Sequence, residues 1–327
     1  MAKLFLAALA FAGAVHAQST KPVELYIGYS VGGGYDIYAR LIARHMGRHL
    51  PGSPVIVPKN MPGAGSLTLA NWLYSAAPRD GTVFGTIGRG IAFDPLLGTL
   101  GAQFKANEFG WIGSANDEVS VCAAWGKTGI TRFEDFYTRT VFVGGTGAGA
   151  DTDLFPKALN QILGTKLKLV TGYPGGNDIT LAMQRGEVEA RCGWSWSSIK
   201  SGHMNWVKDG TIKLLVQLSL DRHADLPQVP LIMDLVKTPE QRSVLRLVFA
   251  RQVMGRPFLA PPGLPPERLA ALRRAFMATM KDPAFLAEAE KIQLEITPVA
   301  GEAVQELVAE VYATPPEVVK QAAQAVK

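Results

Sequence analysis

The stretch Tyr26–Asp36, YIGYSVGGGYD, sets the reading of the chain. Before and within it, Val23, Leu25 and Ile27 alternate as a buried strand does. Gly32, Gly33 and Gly34 then let the backbone turn sharply and present bare N–H groups. Asp36 stands where an N-cap belongs, and Ile37, Leu41, Met46 and Leu50 follow as an apolar helical stripe. A strand, a glycine corner and a helix start bring backbone donors and the positive end of a helix together. That combination suits a small anion or polar solute. Ser30, Gly33, Gly34 and Asp36 are the candidate contacts of this corner.

The corner recurs downstream. Ser53–Lys59, SPVIVPK, is a short apolar strand running into Asn60-Met61-Pro62-Gly63-Ala64-Gly65-Ser66. Ser66 can cap a helix over Leu67–Ala77, and Thr82–Ile87 is a third strand, ending at Gly88-Arg89-Gly90. In an open parallel sheet such corners share one edge, and ligands bind outside that edge. The pattern shifts around Trp111–Glu118, and a second unit begins near Val119. There, Thr131-Arg132-Phe133-Glu134 reads as a capping box. Strand Val141–Val143 ends in Gly144–Gly149, and a helix runs over Asp151–Leu163. Strand Leu167–Val170, loop Gly172–Asn177, helix Ile179–Arg185, strand Val188–Trp194, loop Ser195–Ser198 and strand Ile212–Leu218 complete the unit. The tail reads as helix Glu240–Ala250, strand Arg256–Ala260, helix Pro265–Met280, strand Leu294–Thr297, and helices over Gly301–Tyr312 and Pro316–Val326. Strands alternating with helices in both halves predict α/β architecture twice over, each sheet mostly parallel. The expected division is 18–118 with 252–327 as lobe 1 and 119–251 as lobe 2, with two crossings between them.

The first residues read as an export signal: Lys3, the apolar run Leu4–Val15, and a small-residue cleavage site at Val15-His16-Ala17. Removing those 17 of 327 residues leaves 310, enough for two ordinary domains. The remaining balance, 32 basic against 28 acidic residues, is too small and scattered for a nucleic-acid protein, yet suits anionic small molecules. Two cysteines, Cys122 and Cys192, lie in strand-like runs; in an oxidising compartment they permit one disulfide, the alternative being two buried thiols.

Catalytic constellations are scarce. His45 and His49 stand four apart, a spacing a metal could use, but Arg44 and Arg48 flank them and point to a basic exposed face. Ser195, in Gly193-Trp194-Ser195-Trp196, lacks the second glycine of a nucleophile elbow. No glycine loop has the spacing of a dinucleotide or phosphate loop, so no cofactor is expected. What remains is a site of backbone donors and hydroxyls: Gly33, Gly34, Gly63, Ala64, Gly65, Ser66, Thr146, Gly147 and Gly149. Asp36, Asp151 and Asp153 read as caps of helix starts. Arg89 and Arg191 are the cations able to pair an anion, and Tyr173, Trp194 and Trp196 could wall an apolar part of a ligand or belong to the core.

As a set, Gly32–Arg40, Asn60–Ser66, Ala77–Thr82, Val143–Gly149, Tyr173–Gly176, Gly186-Glu187-Val188, Leu226–Pro230 and Ala260–Gly263 resemble the substrate-binding proteins of tripartite tricarboxylate transporters, the Bug family, in order along nearly the whole chain. The resemblance implies a periplasmic, two-lobed Venus-flytrap receptor, monomeric and without catalysis. It would capture a small organic acid and deliver it to the permease subunits of the transporter. By position it places Gly33, Gly34 and Gly63–Ser66 on one side of the ligand and Thr146, Gly147, Gly149 and Tyr173 on the other. Asp151-Thr152-Asp153 and the tryptophan-rich run Cys192–Ser198 depart from the family's pattern, which leaves monocarboxylates, aromatic acids and uncharged solutes open. The rival readings are a secreted α/β hydrolase using Ser195 or Ser66, and a sensor for a membrane signalling partner.

Overall fold

The computed structural model describes residues 21–327; the expected export signal lies outside the described residues. Two mixed sheets, each flanked by helices, form two lobes. Eleven strands supply them among the described residues: β1 (Val23–Ile27), β2 (Ile56–Asn60), β3 (Val83–Thr86), β4 (Gly110–Ser114), β5 (Ser120–Trp125), β6 (Val141–Gly144), β7 (Leu167–Val170), β8 (Ala190–Ser195), β9 (Ile212–Leu218), β10 (Pro257–Ala260) and β11 (Val299–Ala300). The first sheet has the order β11-β4-β10-β3-β1-β2 and the second β7-β6-β8-β5-β9.

In each sheet the strands that end in glycine corners are the parallel ones. β1 pairs in parallel with β2 and β3, and β6 with β7 and β8. The strand that follows each crossing runs the other way: β10 is antiparallel to β3 and β4, and β5 to β8 and β9. Parallel strands in one sheet need helical crossovers, which place buried apolar faces such as Leu41, Ile42 and Met46 against the sheet.

The chain leaves the first sheet after Ser114, joins the second at Ser120, and returns between Leu218 and Pro257. The two crossing segments lie side by side and are hydrogen-bonded: Glu118 N–H donates to Gln252 O at 2.8 Å, and Gly255 N–H to Asn116 O at 2.9 Å. Helix Pro316–Ala325 packs against helices of both lobes, Asp94–Leu97 on one side and Pro239–Phe249 and Asp151–Leu163 on the other.

Several local readings change. Gly33, not Asp36, is the N-cap of helix Gly34–Met46; Asp36 sits in its first turn, where its carboxylate accepts from the Gly32 amide, Arg40 and Asn60. Ser66 has a left-handed backbone and makes no cap; its Oγ turns inward to accept from Gly88 N–H at 3.1 Å. The expected box at 131–134 does not form: Glu134 is the N-cap without a side-chain bond, and Asp135 in the first turn accepts from the Thr131 and Arg132 amides. The expected loop Ser195–Ser198 mostly belongs to helix Trp196–Gly202, whose tryptophan start disguised it. Leu294–Thr297 is not a strand; two residues later Val299–Ala300 forms the sheet edge. His45 is buried and pairs with Glu288 at 2.6 Å, and His49 pairs with Asp282 at 2.9 Å, so carboxylates of the tail, not solvent, face them.

Candidate ligand-binding site

The corners of the two sheets face each other, and between them lies a cavity of about 50 Å³. Tyr29, Gly33, Gly34, Arg89 and Arg256 line it from the first lobe, and Thr146, Asp151, Gly176, Arg191, Ser195 and Ser198 from the second. Three guanidinium groups meet here, and they differ in what compensates their charge.

Arg89, just beyond β3, reaches across the cleft. Its Nε donates to Asp151 Oδ2 at 2.5 Å, Nη2 to Ser120 Oγ at 2.7 Å and Nη1 to Ser195 Oγ at 3.3 Å. Burial opposes the Arg89 charge, but Asp151 prevails and holds the group above its usual range. Arg256, next to β10, has Nη1 3.2 Å from Glu118, while Nη2 donates to Ser197 and Ser198 Oγ. Its guanidinium lies over the rings of Tyr35 and Tyr38, 4.7 and 5.1 Å from their centroids.

Arg191, on β8, has no such partner. Its Nη1 donates to Gly176 O at 3.0 Å, and the group lies 4.8 Å from the Trp194 ring centroid. Among the described residues no carboxylate pairs with it, and its buried Nε has no hydrogen-bond partner. Burial, and then the neighbouring Arg256, push its pKa down to about 9, so it stays cationic at neutral pH. With Arg89 matched by Asp151 and Arg256 by Glu118, Arg191 leaves the cavity one positive charge in excess. An anion set against it would satisfy both the charge and the orphan donor.

The glycine corners let the lobes meet this closely. Gly65 N–H donates to Thr146 O at 2.9 Å, backbone to backbone across the cleft. Gly147 has φ +138°, and a Cβ there would lie 2.5 Å from Gly65 N and 2.6 Å from Ala64 C. No side chain fits between these two loops.

Comparison with known proteins is consistent with this geometry. The family model described as tripartite tricarboxylate transporter family receptor matches residues 38–323. The chain belongs to that family. It is a family of periplasmic solute-binding receptors, not of enzymes. A Cupriavidus necator protein, the UPF0065 protein in gbd 5'region, is 25% identical over 287 residues, covering 84% of this chain and 79% of that one. The periplasmic binding protein BugD is 21% identical, with a TM-score of 0.74 over 92% of this chain and 97% of its own. R. palustris Rpa4515 with adipate is 20% identical, TM-score 0.72, over 94% and 98% of the two chains. MatC from Rhodopseudomonas palustris with bound malate is 19% identical, TM-score 0.70, over 91% and 98%.

Of the residues singled out in the receptor's sequence, Gly33, Gly34, Arg89, Thr146 and Arg191 border the cavity. The other candidate contacts are not among its lining residues. Ser30 Oγ donates to Asp178 at 2.6 Å, joining the lobes at the rim, and Asp36 holds the Gly32 turn. Gly63, Ala64 and Gly65 form the loop that abuts Gly147, and Ser66 is fully buried behind it. Gly147 N–H is taken by Asp153 Oδ2 at 2.8 Å, and Gly149 O accepts from Arg251. Tyr173 packs at the edge of the second lobe beside Glu187, away from the cavity. Trp194 lies behind Arg191 and borders a second cavity instead. Cys122 and Cys192, opposite one another on β5 and β8, are joined by a disulfide.

Tyr29, Asp151, Gly176, Ser198 and Arg256 border the cavity although the sequence reading did not assign them to the ligand. Asp151 carried a signal, an acid at a glycine-loop helix start, which was read as a cap; its carboxylate instead faces Arg89 and Arg251. Ser195 borders the cavity, but its Oγ accepts from Arg89 and no histidine is among the lining residues.

Proposed function

We propose that this receptor captures a small organic acid between its lobes and delivers it to the membrane permease subunits of a tripartite tricarboxylate transporter. One observation carries the reading: Arg191, half-buried with a fully buried, unpartnered Nε and no acidic partner among the described residues, faces the interlobe cavity. The acid's carboxylate pairs with Arg191 there, beside Gly33, Gly34 and Thr146. Adipate and malate in two structural relatives support this ligand class. The lobes are taken as 18–118 with 252–327 and 119–251, a division supported by the two crossings at 114–120 and 218–257. The receptor acts as a monomer, exported through cleavage after Ala17. Donors preset on rigid helix starts give micromolar affinity, about −8 kcal/mol. The ligand favours the shut form because it touches both lobes.

Titration calorimetry with acetate, phenylacetate, malate and adipate, on wild type and Arg191→Gln, tests this. At least one acid should bind, and Arg191→Gln should weaken it roughly a hundredfold, the loss of a charge-assisted pair. Binding that ignores the Arg191 substitution, or no binding by any acid, overturns the reading.

A further inference from the structure

Arg191 borders a second cavity as well. This one has a volume of about 380 Å³, opens to solvent beside the first, and shares Gly33, Gly34, Gly176 and Ser198 with it. Its wall is aromatic. Trp194 lies edge-on to His203 with centroids 5.2 Å apart, and His203 stacks on Trp206 at 4.4 Å. Trp206 is held edge-on against Trp125 at 5.4 Å, which fixes its orientation. Leu181, 42% exposed, stands at the rim. No acidic residue lines this cavity, and Arg191 is its one arginine or lysine. Burial, and then Arg191, push the His203 pKa down to about 4, so its ring is neutral at pH 7 and adds no second cation.

A cation without a counter-ion thus stands at the foot of a row of three rings, at the junction of a narrow cavity and a wide one. We propose that the receptor takes aromatic monocarboxylates, the carboxylate on Arg191 and the ring in the wide cavity against Trp206 and His203, with the buried Trp194 behind them. This rests on the acid-receptor reading above and narrows it. A dicarboxylate aligned the same way would place its second charge among neutral rings, or against Arg89 and Arg256, which Asp151 and Glu118 already neutralise. A ring in the wide cavity displaces water from apolar surface and gains the offset or edge contacts that aromatic pairs favour.

Calorimetry at pH 7 with phenylacetate, acetate and succinate tests the assignment in the wild-type receptor, and Trp206→Leu tests the wall. Phenylacetate should bind at least about tenfold tighter than either other acid, and Trp206→Leu should cut that preference by about the same factor. The wild-type comparison does not depend on whether the variant folds, which circular dichroism checks. Acids that bind through Arg191 without preference for the phenyl compound overturn the aromatic assignment and leave the receptor reading standing. A preference that survives Trp206→Leu in a folded variant overturns the placement of the ring. Absence of binding by all three acids overturns both readings.

Discussion

Gly65 donates its amide to the carbonyl of Thr146 across the cleft at 2.9 Å, so the closed receptor is joined backbone to backbone at that point. Gly147, next to Thr146, makes this approach feasible. Gly147→Ala would set a methyl carbon 2.5 Å from Gly65 N at a φ of +138°, a strained conformation for any residue with a Cβ. The expected outcome is a receptor that folds, at a cost of about 1–3 kcal/mol, but cannot shut. Small-angle scattering should show no compaction with ligand, and affinity should fall at least about tenfold. A variant that compacts like wild type would refute the close-approach role.

Asp151 lies between two buried cations, 2.5 Å from Arg89 and 3.5 Å from Arg251. Asp151→Asn keeps the shape and removes the charge that compensates them. Uncompensated buried charge costs about 3–5 kcal/mol, so urea denaturation should show a loss of that order. A loss below about 1 kcal/mol would mean that solvent or another acid neutralises Arg89.

Asp94 supplies a pH dependence. Burial pushes its pKa from 3.8 up to about 7, with the Arg251 charge acting in the opposite direction. An acid with a raised folded-state pKa holds its proton more tightly when folded. Its stabilising effect is therefore complete below pH about 4 and is lost as pH rises toward about 7. Stability should decline over that window by a few kcal/mol, of order 1.4 kcal/mol per pH unit at most. Asp94→Asn should flatten that part of the profile. Denaturant midpoints measured from pH 4 to 8 decide it, and an unchanged slope in the variant would count against Asp94 as the source.

The Cys122–Cys192 disulfide spans 70 residues and ties the central strand of the second sheet, β8, to its neighbour β5. Constraining a loop of that length contributes roughly 4 kcal/mol through the unfolded state. The double variant Cys122→Ala/Cys192→Ala should lose about that much in chemical denaturation. Wild type should lose it on full reduction. Equal stability of oxidised and reduced protein would contradict this.

Much of the fold was legible because glycine corners and apolar periodicity are local signals. The helix opening at the Gly32–Gly34 corner and the loop at Gly144–Gly149 could be read from them. The strand Gly110–Ser114 was not recognised, because two glycines and a tryptophan hide its alternation although every residue in it is buried. The site was legible only in part. Arg191 and Thr146 were found as residue types suited to an anion. Which arginine would lack an acid could not be found that way, since Asp151 lies 62 residues from Arg89 and Glu118 lies 138 from Arg256. The glycines were read as amide donors. At Gly65 and Gly147 the absence of a side chain matters more, and only the opposing loop reveals it.

Helix Pro316–Ala325 rests on both lobes, and the paired crossings at Asn116–Glu118 and Gln252–Gly255 form a second fixed place. Two fixed places define a line. Deleting the last dozen residues should therefore loosen one lobe on the other while the Ser30–Asp178 bond at the rim stays in place.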